Sequence, residues 1–367
     1  MVFLLVFLVV YFGMNFYFFY KLKRFINSGW WLLYLAFLFT LSPVLYRFYD
    51  RVGYENSYLS FSILIWMGFL VLFVFYHLLL DIYHGILRLS DKLFGHNPLP
   101  HIPVKLGFVL VFILSFFSTV YGYYETLNIR EYKFIIFSRK VDRDLKILHI
   151  SDLHLNQVMR ENKIKLILSI YNKEKPDIVI STGDLVDGNL KEKESYVHLL
   201  KQIDPPLGKY AILGNHEYYN GVEQAIEFTQ KSGFRLLRDD YIYLPNNLVI
   251  AGVDDDEAIR FGVLRKRNDV SLLQEVDRSR FVVFLKHQPR VDRDMFRMFD
   301  LALCGHTHGG VFYLIRYILK RIFITDAGLV NYGNSYLFVS RGVGTGGPPM
   351  RIGAPPDVAV FSIKRLP

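Results

Sequence analysis

Thiols are almost absent: Cys304 is the only cysteine in 367 residues. No internal disulfide can form, so packing, with or without metal, must hold the fold. Charge is missing from four long apolar runs, at 1–20, 30–46, 58–80 and 106–124, where His77 is the one ionisable exception. A transporter or channel would place charges toward its interior, so these runs read as an anchor. The first run lacks a basic start and a small-residue cleavage site, which favours a retained span over a cleaved signal peptide. Basic residues interleaved with stacking aromatics are also missing outside the apolar runs, so nucleic acid is not an expected partner.

What is abundant is apolar and aromatic: 52% of residues are hydrophobic, with 32 Phe and 25 Tyr. A spanning helix needs roughly 20 mostly apolar residues. Each of the four runs meets that need, although the second is short and holds Pro43. The sequence therefore divides into a helical transmembrane anchor over 1–124, a linker and first strand over 125–144, and a globular domain over 145–367. The net charge of +9 suits work beside anionic lipid or on phosphate-bearing substrates.

Orientation follows from Lys and Arg in the short loops. Lys21, Lys23 and Arg24 follow the first run, Arg88, Lys92 and Lys105 follow the third, and only Arg47 and Arg51 separate the second from the third. This count places both termini outside the cytoplasm. Arg130, Lys133, Arg139 and Lys140, just after the last run, weigh against it.

Beyond residue 140, short apolar runs end in polar clusters. "LKILHISDLHLN" breaks into Asp152 and His154, and "PDIVISTGDLVDG" into Asp184 and Asp187. "GKYAILGNHEYY" ends in Asn215, His216 and Glu217, "FVVFLKHQPR" delivers His287, and "FDLALCGHTHGG" delivers His306 and His308. Helical patterns at 160–174 and 221–232 lie between some of them. Each cluster alone is ordinary turn chemistry. Five strand-end clusters of carboxylate, amide and imidazole in one chain point to a single site, because strand ends at one sheet edge are where such folds gather ligands.

Taken together, the five motifs resemble the signature of the calcineurin-like metallophosphoesterase superfamily over about residues 140–365. "SDLHLN", "STGDLVDG", "FLKHQPR", "GHTHGG" and "SRGVGTGGPPMRIGAPPD" further resemble its bacterial membrane-associated, YkuE-like branch. Val311 stands where that branch usually has Gln, and Glu217 where Asp is common; neither change removes a ligand. The resemblance implies that 145–367 is an α/β metallophosphoesterase domain, a two-sheet sandwich flanked by helices. It implies two divalent metal ions, one on Asp152, His154, Asp184 and His308, the other on Asp184, Asn215, His287 and His306. A ligand set without thiolate suits Mn²⁺, Fe or Zn²⁺. By the same resemblance, His216 is the acid or charge stabiliser and Asp187 its orienting partner. Cys304 is outside the ligand positions and reads as a small buried hydrophobe.

Two features bear on substrate. Arg341 and Arg351, in the glycine-rich late stretch, are possible phosphate contacts or solvated turn residues. "VFYLIRYILKRIF" (311–323) reads as a basic amphipathic helix, suited either to a membrane interface or to packing on the core. The expected function is a membrane-anchored di-metal hydrolase of a phosphate ester or diester on a lipid-linked or membrane-proximal substrate. Its expected place is the bacterial inner membrane, with the catalytic domain outside the cytoplasm and no obligate protein partner. A UDP-diacylglucosamine-type pyrophosphatase of lipid A synthesis is the alternative enzyme, and a non-catalytic membrane scaffold the alternative of another class.

Overall fold

A computed structural model of the protein describes residues 2–52, 56–95, 99–156, 161–188 and 193–367. Met1, residue 160 and the side chain of Arg51 fall outside that description. The chain forms two compact units, Met1–Tyr124 with Gly347–Met350, and Glu125–Gly346 with Arg351–Pro367.

The first unit is helical. Four stretches, Leu5–Ile26, Leu32–Tyr49, Ser57–Phe94 and Val104–Thr126, are long and apolar enough to cross a membrane. The second is broken at Leu41, between helices Leu32–Thr40 and Ser42–Arg51. Pro43 falls in the first turn of the latter, where its missing N–H costs nothing. The third runs well past the apolar run of 58–80, for 38 residues, until Gly95 turns left-handed at φ 74°. At 1.5 Å per residue that is about 57 Å, far more than a hydrocarbon core needs. The extension carries Asp81 to the first helix, where Lys21 Nζ and Tyr17 Oη donate to its carboxylate at 2.7 and 2.6 Å. An ionisable side chain beside apolar helices is thus paired.

The second unit holds twelve strands among the described residues: β1 Arg130–Ser138, β2 Leu145–Ile150, β3 Ile178–Ser181, β4 Lys209–Ala211, β5 Arg235–Leu236, β6 Asp240–Leu244, β7 Leu248–Gly252, β8 Phe281–Leu285, β9 Leu301–Cys304, β10 Gly328–Tyr332, β11 Ser335–Val339 and β12 Asp357–Arg365. They form two six-stranded sheets, ordered β1-β12-β2-β3-β4-β5 and β10-β11-β9-β8-β7-β6. Strands β2 to β5 run parallel, as do β7, β8, β9 and β11. Of these, β2, β3, β7, β8 and β9 are near-continuous apolar runs rather than alternating ones, as burial on both faces demands.

Alternate residues serve different layers, as the period of two demands. Ile147, Ile178, Ile180, Ile250, Val283 and Leu303 meet between the sheets. Leu148 and Val179 face outward, packing with Ile164 and Ile167 of helix Glu161–Glu174 and with Phe228 of helix Val222–Lys231. Val249, Val282 and Phe284 do the same on the other side with Leu272 and Phe296. The result is a two-sheet sandwich flanked by helices, and Cys304 is buried in its second outer layer with its thiol pushed up to about 12 by burial. The segment 311–323 is less helical than its pattern suggests, with helix only over Arg316–Ile322. Gly309, Gly310 and Val311 all take positive φ, and Phe312 bridges to Ile352, so a turn replaces the first helical turn.

Candidate metal centre

All five polar clusters lie at the carboxyl ends of parallel strands. Asp152 and His154 follow β2, Asp184 follows β3, Asn215 and His216 follow β4, His287 follows β8, and His306 and His308 follow β9. The two sheets contribute to one place, which is the usual location of ligands in such folds.

The local backbone is unusual there. Asp152, His154, Asp184, His306 and His308 have φ of 50°, 46°, 49°, 71° and 51°. Each left-handed residue costs about 1–3 kcal/mol and persists only when its surroundings impose it. In return, residues two apart in Asp152-Leu153-His154 and His306-Thr307-His308 can turn to the same cluster. Small residues let the loops meet: a Cβ at Gly305 would lie 2.0 Å from Ser151 Oγ and 2.2 Å from Asp152 Oδ2.

Two donor groups result. In the first, His154 Nε2 and His308 Nε2 are 3.0 Å apart, Asp152 Oδ1 is 3.6 Å from His308 Nε2, and Asp184 Oδ2 is 3.6 Å from His154 Nε2. In the second, His287 Nε2 lies 3.3 Å from Asp184 Oδ2 and 3.0 Å from Asn215 Oδ1, which is also 2.9 Å from His306 Nδ1. Asp184 belongs to both. The ligand atoms of Asp152, His154 and His308, and those of Asp152, Asp184 and His287, each lie within 4.8 Å of one another. His216 also falls within that reach of His154 and Asp184.

The charge balance favours cations. Burial opposes ionisation of Asp184, yet His287 and the other histidines outweigh it and hold the carboxyl well below its usual range. Burial likewise opposes protonation of His287, but Asp184 drives it well above an ordinary histidine. A buried imidazolium against a carboxylate marks where positive charge is wanted, and a metal ion replaces that proton. Burial, helped by His287, pulls His306 down to about 3, which leaves it neutral and ready to ligate. The donor set therefore fits two divalent cations.

Outer contacts fix these side chains. His287 Nδ1 donates to the Thr182 carbonyl at 2.7 Å, which frees Nε2 for the cluster. Ser151 Oγ donates to Asp152 Oδ2 at 2.6 Å, and the His306 N–H donates to Asp152 Oδ1 at 3.0 Å. Asp187 sits 3.1 Å from His216 Nδ1 and 3.5 Å from His154 Nδ1. Burial disfavours its charge, but the two imidazoles hold it far below the carboxylate range. His216 is disfavoured as a cation by burial, yet Asp184 and Asp187 raise it to about 9.

Two residues already named from sequence, Glu217 and Arg351, take organising roles that sequence alone does not give. Glu217 accepts from the Gly214 N–H at 2.7 Å, the Asp184 N–H at 3.0 Å and the Val186 N–H at 3.1 Å, strapping the β3 and β4 loops together. Burial and the neighbouring Asp184 push it up to about 7. Its spacing, three residues after Gly214 at a helix start, is the signal that could have found it. Arg351, 0% exposed, donates from Nη1 to the His308 carbonyl at 2.7 Å, and its Nη2 lies 2.7 Å from His308 Nδ1. Arg341 pairs with Asp357 at 3.1 Å and passes beside Gly309.

Residues 145–310 match the family described as calcineurin-like phosphoesterase. An uncharacterized metallophosphoesterase of Aquifex aeolicus is 45% identical over 248 residues, 66% of this chain and 95% of its own length. The metallophosphoesterase YkuE of Bacillus subtilis is 28% identical, over 60% of this chain and 79% of its own. A transmembrane protein with metallophosphoesterase domain from Danio rerio is also 28% identical, over 60% of this chain and 53% of its own. At 45% identity along nearly the whole of one relative, the chain belongs to the calcineurin-like metallophosphoesterases, metal-dependent hydrolases of phosphoric esters.

Proposed function

We propose that the protein hydrolyses a phosphate ester or diester carried by a lipid-linked or membrane-proximal molecule, using two divalent cations. One observation carries the reading: donors from five strand ends converge, and Asp184 is shared between two groups. We assign one cation to Asp152, His154, Asp184 and His308, and the other to Asp184, Asn215, His287 and His306. Mn²⁺, Fe and Zn²⁺ all suit oxygen and imidazole donors. Such a pair polarises phosphoryl oxygen and lowers the pKa of water.

The remaining steps fall to the chain's own groups. His216, within reach of Asp184 and with Asp187 3.1 Å from its Nδ1, is placed to give a proton to the leaving oxygen. Asp187 holds its Nδ1, leaving Nε2 for substrate. Arg341, part-exposed beside Gly309, is the arginine available to a phosphate oxygen, while Arg351 is committed to orienting His308. The membrane setting is supported by the four apolar stretches, and the loop arginines and lysines favour a catalytic unit outside the cytoplasm of a bacterial inner membrane.

Asp184→Asn tests the centre. The variant should stay folded and membrane-bound, lose metal from both positions and lose nearly all hydrolysis of a chromogenic phosphodiester. Full occupancy with normal turnover overturns the shared-ligand assignment. A substrate panel then reads the class, comparing a phosphomonoester, a lipid phosphodiester and a sugar-nucleotide pyrophosphate. Preference for the last overturns the ester reading.

A further inference from the structure

The rim around the metal centre is unusually apolar for a catalytic mouth. On one side, helix Arg316–Ile322 buries none of its residues. Leu314, Ile318 and Ile322 are exposed, Ile318 by 60%, with Tyr313 and Tyr317 beside them. The segment is held to the site through Phe323, 8% exposed, whose ring lies 5.8 Å from that of His306. On another side, Tyr219 stands 5.5 Å from the His216 ring and 5.8 Å from Phe261. Ile259, Phe261 and Leu264 are exposed there, Leu264 by 91%. Contiguous exposed apolar residues mark an interaction surface. This patch is neither a core helix nor a scatter of single residues, because two separate segments bring exposed apolar residues to the centre, one beside His306 and the other beside His216.

Charge selects the occupant. Arg316 and Lys320 lie 3.0 and 3.5 Å from Asp326, so one carboxylate faces two cations, and Arg321 is exposed nearby. Arg290 adds a guanidinium 5.7 Å from the Phe323 ring. Isoleucine and leucine bordered by tyrosine, arginine and lysine is the composition of an interfacial element, with apolar tips in the acyl boundary and cations at anionic headgroups. The four spanning stretches already tether the catalytic unit to a bilayer. We infer that segments 259–264 and 313–322 form a docking rim that seats the metal centre on an anionic lipid surface. The inference deepens the membrane-substrate reading, since a seated centre receives a headgroup phosphate without lifting the lipid out of the membrane.

The test uses the full chain in lipid nanodiscs. Cysteine is introduced singly by Ile318→Cys, Leu264→Cys or Arg278→Cys, the last preceding β8 at the opposite end of the sheet. Buried Cys304 remains unlabelled. An environment-sensitive fluorophore at 318 and 264 should emit as in an apolar medium and be quenched by lipids spin-labelled near the headgroup. Both effects should grow with the fraction of anionic lipid, and the label at 278 should stay solvent-like. Changing Ile318 and Ile322 together to Ser should abolish quenching of the label at 264. Solvent-like emission at both rim positions overturns the docking rim. Metal-dependent cleavage of a soluble diester, measured alongside, separates the two ideas: retained cleavage with undocked probes removes only the rim, and docked probes without cleavage remove only the proposed activity.

Discussion

At the scale of single residues, the reactive roles divide by environment rather than by residue type. Five histidines stand around one centre, yet their protonation differs. His306 is pulled down to about 3 by burial and His287, while His216, beside Asp184 and Asp187, rises to about 9. One is a ready ligand and the other a ready acid. His216→Ala should therefore leave metal content unchanged while slowing turnover by about 10²–10⁴-fold on a substrate with a poor leaving group. With a nitrophenolate leaving group, which needs no proton, the loss should be much smaller. Equal losses on both substrates would show that His216 does not protonate the leaving oxygen. In the wild type, activity on the poor leaving group should fall as pH rises through the pKa of His216, because the donor is then deprotonated.

The polar clusters were legible in sequence because each closely follows an apolar strand run, and the candidate ligands among them were named by the family resemblance. Asn215 and His306 are the first polar side chains after β4 and β9, while Ser151, Thr182 and Lys286 precede Asp152, Asp184 and His287. The work of Glu217 and Arg351 was less legible, since it also depends on Asp184, Val186 and His308, which are 31 to 43 residues distant. At the scale of elements, this explains which boundaries moved. The third helix continues beyond its apolar run to Phe94, and just past that run Asp81 pairs with Lys21, a pairing no local pattern announces. Segment 311–323 lost its first turn to three successive positive-φ residues and a bridge to Ile352. The loops after β3 and β4 depend on Glu217 in a comparable way. Glu217→Gln keeps the size but offers one acceptor oxygen to three backbone donors. Leaving buried N–H groups unmatched costs about 1–3 kcal/mol. The variant should melt at lower temperature and lose the metal on Asn215 more readily on dialysis. A variant equal to wild type in both respects would make the carboxylate dispensable.

At the scale of the whole molecule, which side of the membrane receives the catalytic unit decides which substrates it can meet. The short loops carry Lys21, Lys23, Arg24, Arg88, Lys92 and Lys105 on one side, against Arg47 and Arg51 on the other. The rule counts Lys and Arg rather than net charge, so the pairing of Lys21 with Asp81 does not alter the loop count. Arg130, Lys133, Arg139 and Lys140, just after the last stretch, cancel the bias, and the side has to be measured. Four crossings would put Val52 on the same side as the catalytic unit and Leu99 on the opposite side. Both are exposed, so cysteine at either is tolerable and reachable, and native Cys304 is buried and silent. In sealed right-side-out vesicles, an impermeant thiol reagent should label Val52→Cys and Arg278→Cys at once, and Leu99→Cys only after detergent. Such a result reserves the enzyme for phosphate esters reached from outside the cytoplasm. Immediate labelling of position 99, with 52 and 278 protected, inverts the chain and hands the centre to cytoplasmic substrates such as a sugar-nucleotide pyrophosphate.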